Sequence, residues 1–418
     1  MPLLFFLFPL TGLYNGIKYF FQSKYRYGLL IFAFWYGYSV FFYSGDVTRY
    51  RDDFGALVQY TWDDFSHLVQ YLFNENTRFN LLQRNTYNSK PDLYALTLGF
   101  LVSRFTENPR WFFAIVSVIY AFIILKFLDE VIRFTGRRDS RPWKLFFTGL
   151  VLIVPFYVGV TGVRFWPALF VFAWMLLKYI NTGNIRYLFY TVFSVFFHYT
   201  FIFPVVVAIL AAFLRINRIV FKYMVVIGVF FAVLSSTSNT LDFITNSIKV
   251  FESETVSNAS ASYLDEEQLE KRFEEVKATN WYVQGRVQLL NLFFILFFIF
   301  DFFQFNSWNK TVSHPIFDRM YHFFFLITLF TFNLGSMGRF VYVFYLLIFI
   351  RILQLQTVDQ TQKLKVWNKV FTAVLLFHVI VVFRAGFYTV DPLLLISPSP
   401  SLLFFHSDVS LSEFIVGH

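Results

Sequence analysis

The sequence predicts an all-α polytopic membrane protein, a bundle of about twelve transmembrane helices with two extracytoplasmic loops that carry interfacial helices. Of its 418 residues, 57% are hydrophobic and 15% are charged, a composition that a water-soluble fold cannot bury. Long apolar runs, among them 289–300 and 371–383, require a membrane around them. No repeat period or linker interrupts the chain, so residues 1–418 are interpreted as a single transmembrane domain.

Apolar runs of about 17 to 25 residues mark the predicted spans. They are expected near residues 3–21, 28–43, 111–131, 144–162, 165–180, 219–237, 283–304, 316–334, 340–355 and 367–383. The stretch 186–214 is too long for one ordinary span and short for two. Two short or tilted helices that meet near His198 fit the topology better than one helix kinked at Pro204. Residues 3–21 lack the basic leader and cleavage site of a secretory signal and are expected to be a retained first span.

The distribution of basic residues predicts the orientation. One set of alternate loops holds 20 of the 35 Lys and Arg residues but 6 of the 26 Asp and Glu residues: 18–27, 126–144, 178–186, 215–222, 301–319 and 351–369. Positive charge collects on the cytoplasmic side of membranes, so these loops are predicted to be cytoplasmic. The same rule accounts for the net charge of +9, and the basic cluster at 133–144 is interpreted as an orientation signal rather than a nucleic-acid-binding patch.

The first long loop on the predicted outer side comprises residues 44–110. Between Phe54 and Leu72, apolar residues recur at helical spacing and predict a helix that lies on the membrane. Residues 93–105 have too few apolar residues to cross comfortably, and a span there would move the basic cluster outside. This segment is therefore expected to be re-entrant or surface-bound.

A second outer loop and the tail complete the predicted outer face. The loop, residues 239–282, is strongly acidic, and 262–277 within it is expected to form a solvated helix without a chemical role. Three prolines interrupt the tail, residues 385–418, and forbid a regular spanning helix there. We expect the tail to pack along the outer interface.

Several classes of function lack their sequence signals. No Walker loop, dinucleotide fingerprint or His-Glu-x-x-His motif occurs. The absence of cysteine excludes disulfides, thiolate metal sites and cysteine nucleophiles. The seven histidines include no pair at ligand spacing on a shared helix. No metal and no cofactor is predicted, although a divalent ion held by carboxylates stays open.

Five arginines stand on the predicted outer face, where loops normally carry few basic residues. They adjoin predicted spans and are Arg49, Arg164, Arg286, Arg339 and Arg384. Guanidinium groups bind phosphate oxygens bidentately and keep their charge, so a ring of them predicts an anionic ligand such as a lipid diphosphate. Arg286 and Arg384 have a second interpretation, which is snorkelling to outer-leaflet headgroups.

Asp46 is a candidate general base. It follows the second predicted span, and Arg49, Tyr50 and Arg51 come directly after it. An acid at the headgroup level can accept a proton from a sugar hydroxyl. The alternative is that Asp46 pairs with Arg49 or Arg51, or caps the following helix. Arg49, Tyr50 and Arg51 are predicted to bind the substrate.

Three further residues are candidates for the same cavity. Arg164 lies between two apolar segments too closely spaced for a solvated loop. An arginine at such a depth is usually either functional or buried in a polar network, and function is favoured here. His198 is expected at the outer end of the next helix, either as a base or as a hydrogen-bonded packing residue. Arg339 follows small residues that permit close approach of a ligand. Asp46, His198 and Arg164 are thus the predicted catalytic residues, and Arg286 and Arg339 join the predicted substrate-binding set.

The order of these features resembles a known family. Asp46 is followed by Tyr50 and Phe54, the segment Lys90-Pro91-Asp92-Leu93-Tyr94 leads into an apolar stretch, Arg164 opens a helix, and Phe197-His198 ends the next one. Over roughly residues 40–215 this order is similar to that of the EpsG family of Wzy-like exopolysaccharide polymerases.

The resemblance implies a multi-pass enzyme of the bacterial inner (cytoplasmic) membrane. Such an enzyme polymerises undecaprenyl-diphosphate-linked oligosaccharide repeats into exopolysaccharide or O-antigen at the outer face. On this hypothesis Asp46 or His198 is the base, and Arg164 with Arg339 binds the diphosphate. The lipid-linked oligosaccharide and membrane lipids are the expected partners, together with a chain-length regulator or flippase of the same pathway, and nucleic acid is not expected.

Two alternatives stay open. An O-antigen-ligase-like glycan transferase would use a similar donor and similar arginines but a different acceptor. A flippase for lipid-linked oligosaccharide would move the same molecule without joining sugars. Transporters usually carry an internal repeat, and the sequence shows no convincing two-half repeat, which favours an enzyme.

Overall fold

The structure, a computed structural model, describes residues 2–41, 46–73, 92–136, 146, 149–150, 156–215, 217–234, 281–312, 314–331, 339–358 and 362–416. Among these residues the regular elements are helices, and the only strand-like pairing is an isolated bridge between Val40 and Val390. The all-α prediction is confirmed. The predicted helix at 262–277 lies outside the described residues.

The described α-helices follow in chain order: α1 (Pro2–Leu7), α2 (Pro9–Lys18), α3 (Ser23–Tyr38), α4 (Asp46–Val58), α5 (Trp62–Phe73), α6 (Leu93–Ser103), α7 (Pro109–Thr135), α8 (Phe156–Thr161), α9 (Phe165–Thr182), α10 (Ile185–Tyr190), α11 (Phe193–Phe197), α12 (Ile202–Phe213), α13 (Arg218–Leu234), α14 (Trp281–Val312), α15 (Pro315–Thr331), α16 (Val341–Val358), α17 (Gln362–Phe387), α18 (Leu393–Ile396) and α19 (Leu411–Val416). Two 3-10 turns, Tyr199–Phe201 and Ser399–Leu403, lie among them.

Two of the described helices are long and apolar enough to cross a membrane: α7 and the 365–387 portion of α17. Several other described helices are apolar but shorter, so the count of about twelve spans stays a prediction. The predicted span 3–21 is divided into α1 and α2 at Phe8, because Pro9 begins the second helix and has no N–H to continue the first. The predicted break near His198 is confirmed, since α11 ends at Phe197.

The sequence predicts one interfacial helix between Phe54 and Leu72, and this prediction is wrong in one respect. The segment forms two helices, α4 and α5. Thr61 begins the second with a reciprocal cap. The backbone N–H of Thr61 donates to the Asp64 carboxylate at 2.9 Å, and the N–H of Asp64 donates to the Thr61 hydroxyl at 3.2 Å. Satisfying these terminal N–H groups favours a new helix start over continuation of α4.

The chain divides into two compact units. Unit 1 comprises the described parts of 1–140, 150–202 and 379–418, and unit 2 those of 141–149 and 203–378. Each unit is described by itself below. The prediction of one transmembrane domain stays a prediction.

Glycines allow the N-terminal helices of unit 1 to pack backbone against backbone. A Cβ atom on Gly28 of α3 would lie 2.6 Å from the carbonyl oxygen of Gly12 in α2. A Cβ atom on Gly37 would clash with the carbonyl oxygen of Phe113 in α7. Only glycine permits these approaches, so the C-terminal end of α3 is held against α7.

The tail is tied to this end of α3. The Phe41 N–H donates to the Thr389 carbonyl oxygen at 2.9 Å, and the Asp391 N–H donates to the Ser39 carbonyl oxygen at 3.0 Å. The Asp391 carboxylate, which is fully buried, accepts from the backbone N–H of Leu393. The tail therefore docks on the predicted outer end of unit 1 rather than leaving it.

An apolar cluster joins the first loop to the helices. From α4 it includes Val47, Tyr50 and Phe54, and its other buried members are Val40, Ala95, Val102, Phe112, Phe113, Val116, Val160 and Val163. These side chains come from the end of α3, from α4, α6, α7 and α8, and from the turn before α9. Burial of this cluster places polar residues of distant sequence side by side at its edge.

Two arginines of the first loop have structural roles at helix ends. Arg104 donates to the carbonyl oxygens of Leu57 at 2.6 Å and Tyr60 at 2.7 Å, past the end of α4. Arg110 donates to the carbonyl oxygen of Tyr38 at 3.2 Å, at the end of α3. C-terminal carbonyl groups lack intrahelical partners, and a cation there also complements the helix dipole.

Unit 2 contains a buried charged network that joins three helices. Arg351 of α16 donates to both carboxylate oxygens of Asp301 in α14, at 2.9 and 3.2 Å. Its Nη1 atom lies 3.6 Å from a carboxylate oxygen of Asp318 in α15. All three side chains are at most 9% exposed. Buried charges of this kind persist only when they are paired.

We expect Asp301→Asn to destabilise the protein by about 3–5 kcal/mol, because it leaves the Arg351 guanidinium buried without its bidentate partner. Asp318→Asn should cost clearly less, since its contact with Arg351 is longer and single. Thermal unfolding of the detergent-solubilised variants measures both. Equal losses for the two variants would contradict the hierarchy of contacts.

Candidate active site

Asp92 lies at the centre of a polar cluster in unit 1. Its Oδ2 atom is 3.1 Å from Nη1 of Arg164 and 3.2 Å from Nδ1 of His198. Its Oδ1 atom accepts a hydrogen bond of 3.2 Å from the backbone N–H of Tyr199. The carboxylate side chain is 2% exposed. One buried carboxylate thus holds two of the three predicted catalytic residues.

Local backbone geometry makes the Asp92 carboxylate accessible to these partners. Asp92 occupies the N-cap position of α6 with an extended backbone, where aspartate usually accepts from the first N–H groups of its own helix. Its side chain makes no such bond. The carboxylate therefore contacts residues from other segments of the chain instead of capping α6.

The other two residues are positioned by helix boundaries. Arg164 immediately precedes α9, in the turn that follows α8. His198 has an extended backbone, with φ of −154°, between α11 and the 3-10 turn. These interruptions direct both side chains to Asp92. The Phe165 and His198 rings pack in a T-shaped arrangement with their centres 6.0 Å apart.

Tyr50 connects this cluster to α4. The guanidinium carbon of Arg49 lies 5.2 Å from the Tyr50 ring centre, and that of Arg164 lies 5.8 Å away. Both guanidinium groups also interact electrostatically with the Tyr50 phenol. Asp46 completes the row through a 3.1 Å salt bridge with Arg49. Five predicted site residues, Asp46, Arg49, Tyr50, Arg164 and His198, therefore lie in one continuous cluster.

Burial and neighbouring charges act on the cluster in opposite directions. Burial lowers the pKa of the Arg164 guanidinium, but Tyr50, Asp92 and Asp46 more than offset this, so its pKa is raised. Burial raises the pKa of the Tyr50 phenol. Arg164 is consequently a permanent cation and Tyr50 a neutral hydroxyl at physiological pH.

The arrangement is suited to acid–base chemistry beside an anion. The His198–Asp92 contact has ion-pair distance, although its angle falls short of a hydrogen bond in this structure. A carboxylate at Nδ1 favours the imidazole tautomer whose Nε2 lone pair accepts a proton. The Arg164 side chain is 19% exposed and has more N–H donors than Asp92 occupies. An imidazole that could accept a proton and a guanidinium group that could bind an anion thus contact the same carboxylate.

The other predicted residues differ in their contacts or in the unit to which they belong. Arg51 forms a 2.8 Å salt bridge with the adjacent Asp52, so Asp46 pairs with Arg49 rather than with Arg51. Arg384 is exposed on α17. Arg286, on α14, and Arg339, exposed just before α16, belong to unit 2. That Arg286 and Arg339 bind the substrate stays a prediction.

Sequence analysis missed Asp92 as a site residue. An aspartate before an apolar helix is the usual N-cap pattern, and nothing in its local sequence indicates that the side chain leaves the helix. One available signal was the placement of Asp92 and Tyr94 around the start of an 11-residue helix that is too short to span. The Tyr94 ring packs on Phe197 at 4.3 Å and thereby brings the His198 segment against α6.

Comparison with known proteins decides the family. Residues 54–394 match the model of the EpsG family. The chain belongs to the EpsG family. Together with its apolar helices, membership makes it a membrane protein and suggests an exopolysaccharide polymerase-like function. No curated protein and no solved structure matches the chain.

The EpsG match extends well beyond the segment in which the sequence resemblance was found. It includes Asp92, Arg164 and His198, as well as the two unit 2 arginines. It begins at Phe54, so Asp46 and Arg49 precede it. In this EpsG protein, Asp92, Arg164 and His198 therefore lie within the region that matches the family model, and Asp46 and Arg49 lie outside it.

Tyr50 permits a test of the cluster as a packed unit. We expect Tyr50→Ala to destabilise the protein by about 3–5 kcal/mol through the cavity it leaves. Tyr50→Phe, which removes only the hydroxyl, should cost about 1 kcal/mol. Thermal unfolding in detergent measures both, with Tyr27→Phe at an exposed position as control. If Tyr50→Phe lowered the stability as much as Tyr50→Ala, the inference that packing of the ring contributes more than the hydroxyl would be contradicted.

Proposed function

We propose that the protein is a multi-pass glycosyltransferase of the bacterial inner membrane that polymerises undecaprenyl-diphosphate-linked oligosaccharide repeats at the outer face. The observation that carries this proposal is the sharing of Asp92 by Arg164 and His198. A reaction that expels a diphosphate from a sugar needs a cation for the leaving group and a base for the incoming hydroxyl. The EpsG family supports the polymerase-like part of the proposal.

In the proposed reaction an acceptor hydroxyl of one lipid-linked repeat attacks the anomeric carbon of another. The new glycosidic C–O bond forms as the bond from that carbon to the diphosphate oxygen breaks. The hydroxyl proton passes to Nε2 of His198, and the bond electrons leave with the undecaprenyl diphosphate. Arg164 and Arg49 stabilise the negative charge that develops on the leaving group.

His198 is a better base than Asp46 on the geometry of the cluster. The Asp46 carboxylate is 56% exposed and engaged with Arg49, whereas the His198 ring is buried against the Asp92 carboxylate. A buried imidazole held by a carboxylate presents one nitrogen in a fixed direction. We assign Asp46 the role of holding Arg49 in position, and we assign His198 the proton transfer.

Arg164 accounts for the need for an outer-face cation. Its charge is balanced by Asp92, and its side chain, which also lies over the Tyr50 ring, is 19% exposed. A diphosphate brings further negative charge, which the guanidinium groups of Arg164 and Arg49 can bind. We also propose Arg286, Arg339 and Arg51 as residues that bind the substrate.

Arg164→Ala should abolish long polymer, with turnover lower by about 10²-fold or more, as for other groups that stabilise charge in a transition state. Cells that express the variant should accumulate short lipid-linked repeats. Gel electrophoresis of the glycan measures chain length, and Arg186→Ala, which replaces an exposed arginine of α10, is the matched control. An unchanged length distribution for Arg164→Ala would refute its role.

His198→Ala should lower kcat by about 10²- to 10⁴-fold, the usual contribution of a general base. Asp92→Asn should lower kcat less, because the imidazole remains while its orientation is weakened. Purified protein supplied with lipid-linked repeats gives both rates. If His198→Ala kept the wild-type rate while Asp46→Asn lost it, the base would be Asp46 instead.

The same purified system separates polymerase from its alternatives. Polymer formed from lipid-linked repeats alone supports the proposal. Product that forms only after a different acceptor is added would indicate an O-antigen-ligase-like transferase. Movement of labelled repeats across vesicles without change in sugar chain length would indicate a flippase.

A further inference from the structure

A second polar site lies at the other end of α7. A cavity of about 410 Å³ is lined by Phe21, Arg26, Asp129, Ile132, Arg133 and Gly136. The 27 residues of α7 rise about 40 Å, close to the full thickness of a bilayer. Phe112 and Phe113, near the start of α7, belong to the apolar cluster beneath the candidate active site. The cavity is therefore at the opposite, predicted cytoplasmic end of the same helix.

The charges around this cavity are of both signs. Arg26 forms a salt bridge with Asp129, and its Nε atom also donates to the Phe20 carbonyl oxygen at 2.9 Å. Arg133 donates to both carboxylate oxygens of Glu130 at 3.1 Å. The Glu130 side chain is 5% exposed and does not line the cavity. Two guanidinium groups and two carboxylates cancel, so the site has no net attraction for a simple anion or a simple cation.

The separate groups nevertheless remain accessible to a ligand. The Arg133 side chain is 59% exposed and the Asp129 side chain 36% exposed. The helix α7 ends here, with Gly136 in the left-handed conformation at φ of 68°. The last carbonyl groups of a helix carry partial negative charge and favour an ammonium group nearby. Phe21 and Ile132 give the cavity an apolar wall.

We propose that this cavity binds the headgroup of a phospholipid that carries both a phosphate and a primary ammonium group, of the phosphatidylethanolamine type. Such a zwitterion matches the balanced charges. Its phosphate binds the free N–H donors of Arg133 with support from Arg26, and its ammonium binds Asp129 and the end of α7. The glycerol and upper acyl carbons contact Phe21 and Ile132. This site is independent of glycosyl transfer at the other end of α7.

The test is lipid binding by the full-length purified protein, measured by native mass spectrometry after titration with phosphatidylethanolamine, phosphatidylcholine or phosphatidylglycerol. Phosphatidylcholine keeps the charges but cannot donate hydrogen bonds from nitrogen. Phosphatidylglycerol keeps the phosphate without the ammonium. We expect phosphatidylethanolamine to bind about tenfold more tightly than either, the factor that one charge-assisted hydrogen bond provides.

Arg133→Gln should lower phosphatidylethanolamine affinity about tenfold for the same reason, and it leaves the Arg26–Asp129 salt bridge intact. Asp129→Asn should remove the preference over phosphatidylcholine. Lys126→Gln is the control, because Lys126 lies on α7 over the Phe122 ring and does not line the cavity. Equal affinity for the three lipids, or unaltered binding by folded Arg133→Gln, would overturn the proposal. Displacement of the lipid by millimolar inorganic phosphate would overturn it in favour of a free-phosphate site.

Discussion

The Asp92 carboxylate is the constraint on which the candidate active site depends. Its two oxygens engage a guanidinium, an imidazole and a backbone N–H from three different segments of the chain. A buried carboxylate without partners would be costly, and so would a half-buried arginine without a counter-ion. Each group therefore makes the burial of the others possible, and the site is a mutually dependent set rather than a row of independent side chains.

Apolar packing supplies the frame for this set. The cluster around Phe54, Phe112 and Phe113 fixes α4 and α6 against α7. Arg104 and Arg110 then satisfy the exposed carbonyl groups at the ends of α4 and α3. Basic residues on this side of the protein consequently serve two purposes, as helix-end partners and as members of the polar cluster. Because both roles use an arginine side chain, the residue type does not distinguish them. The position of the arginine relative to a helix end does.

The two ends of α7 have contrasting electrostatics. At the first end, charges are arranged around the shared Asp92 carboxylate, and Arg164 is partly exposed. At the other, Arg26, Asp129 and Arg133 line a cavity, and each arginine is paired with a carboxylate, that of Asp129 or of Glu130. An open cation suits a charged leaving group, and balanced pairs suit a zwitterionic headgroup. A helix of membrane length keeps these two environments apart.

Composition and periodicity determined the helical class, the membrane character, the break at His198 and the candidacy of Arg164, because each follows from local hydropathy or from the cost of a charge in an apolar segment. Local sequence also suggested Asp46, yet it could not rank Asp46 against His198. Only the tertiary structure decided that Asp92 leaves its N-cap role, that Arg49 rather than Arg51 meets Asp46, and that Tyr50 lies between two arginines. These relations join residues up to 114 positions apart, between Tyr50 and Arg164. They result from the packing of α4, α6 and α7. Hydrophobic burial is non-directional and does not depend on the order of residues along the chain. No local sequence pattern therefore encodes which polar groups this packing brings together.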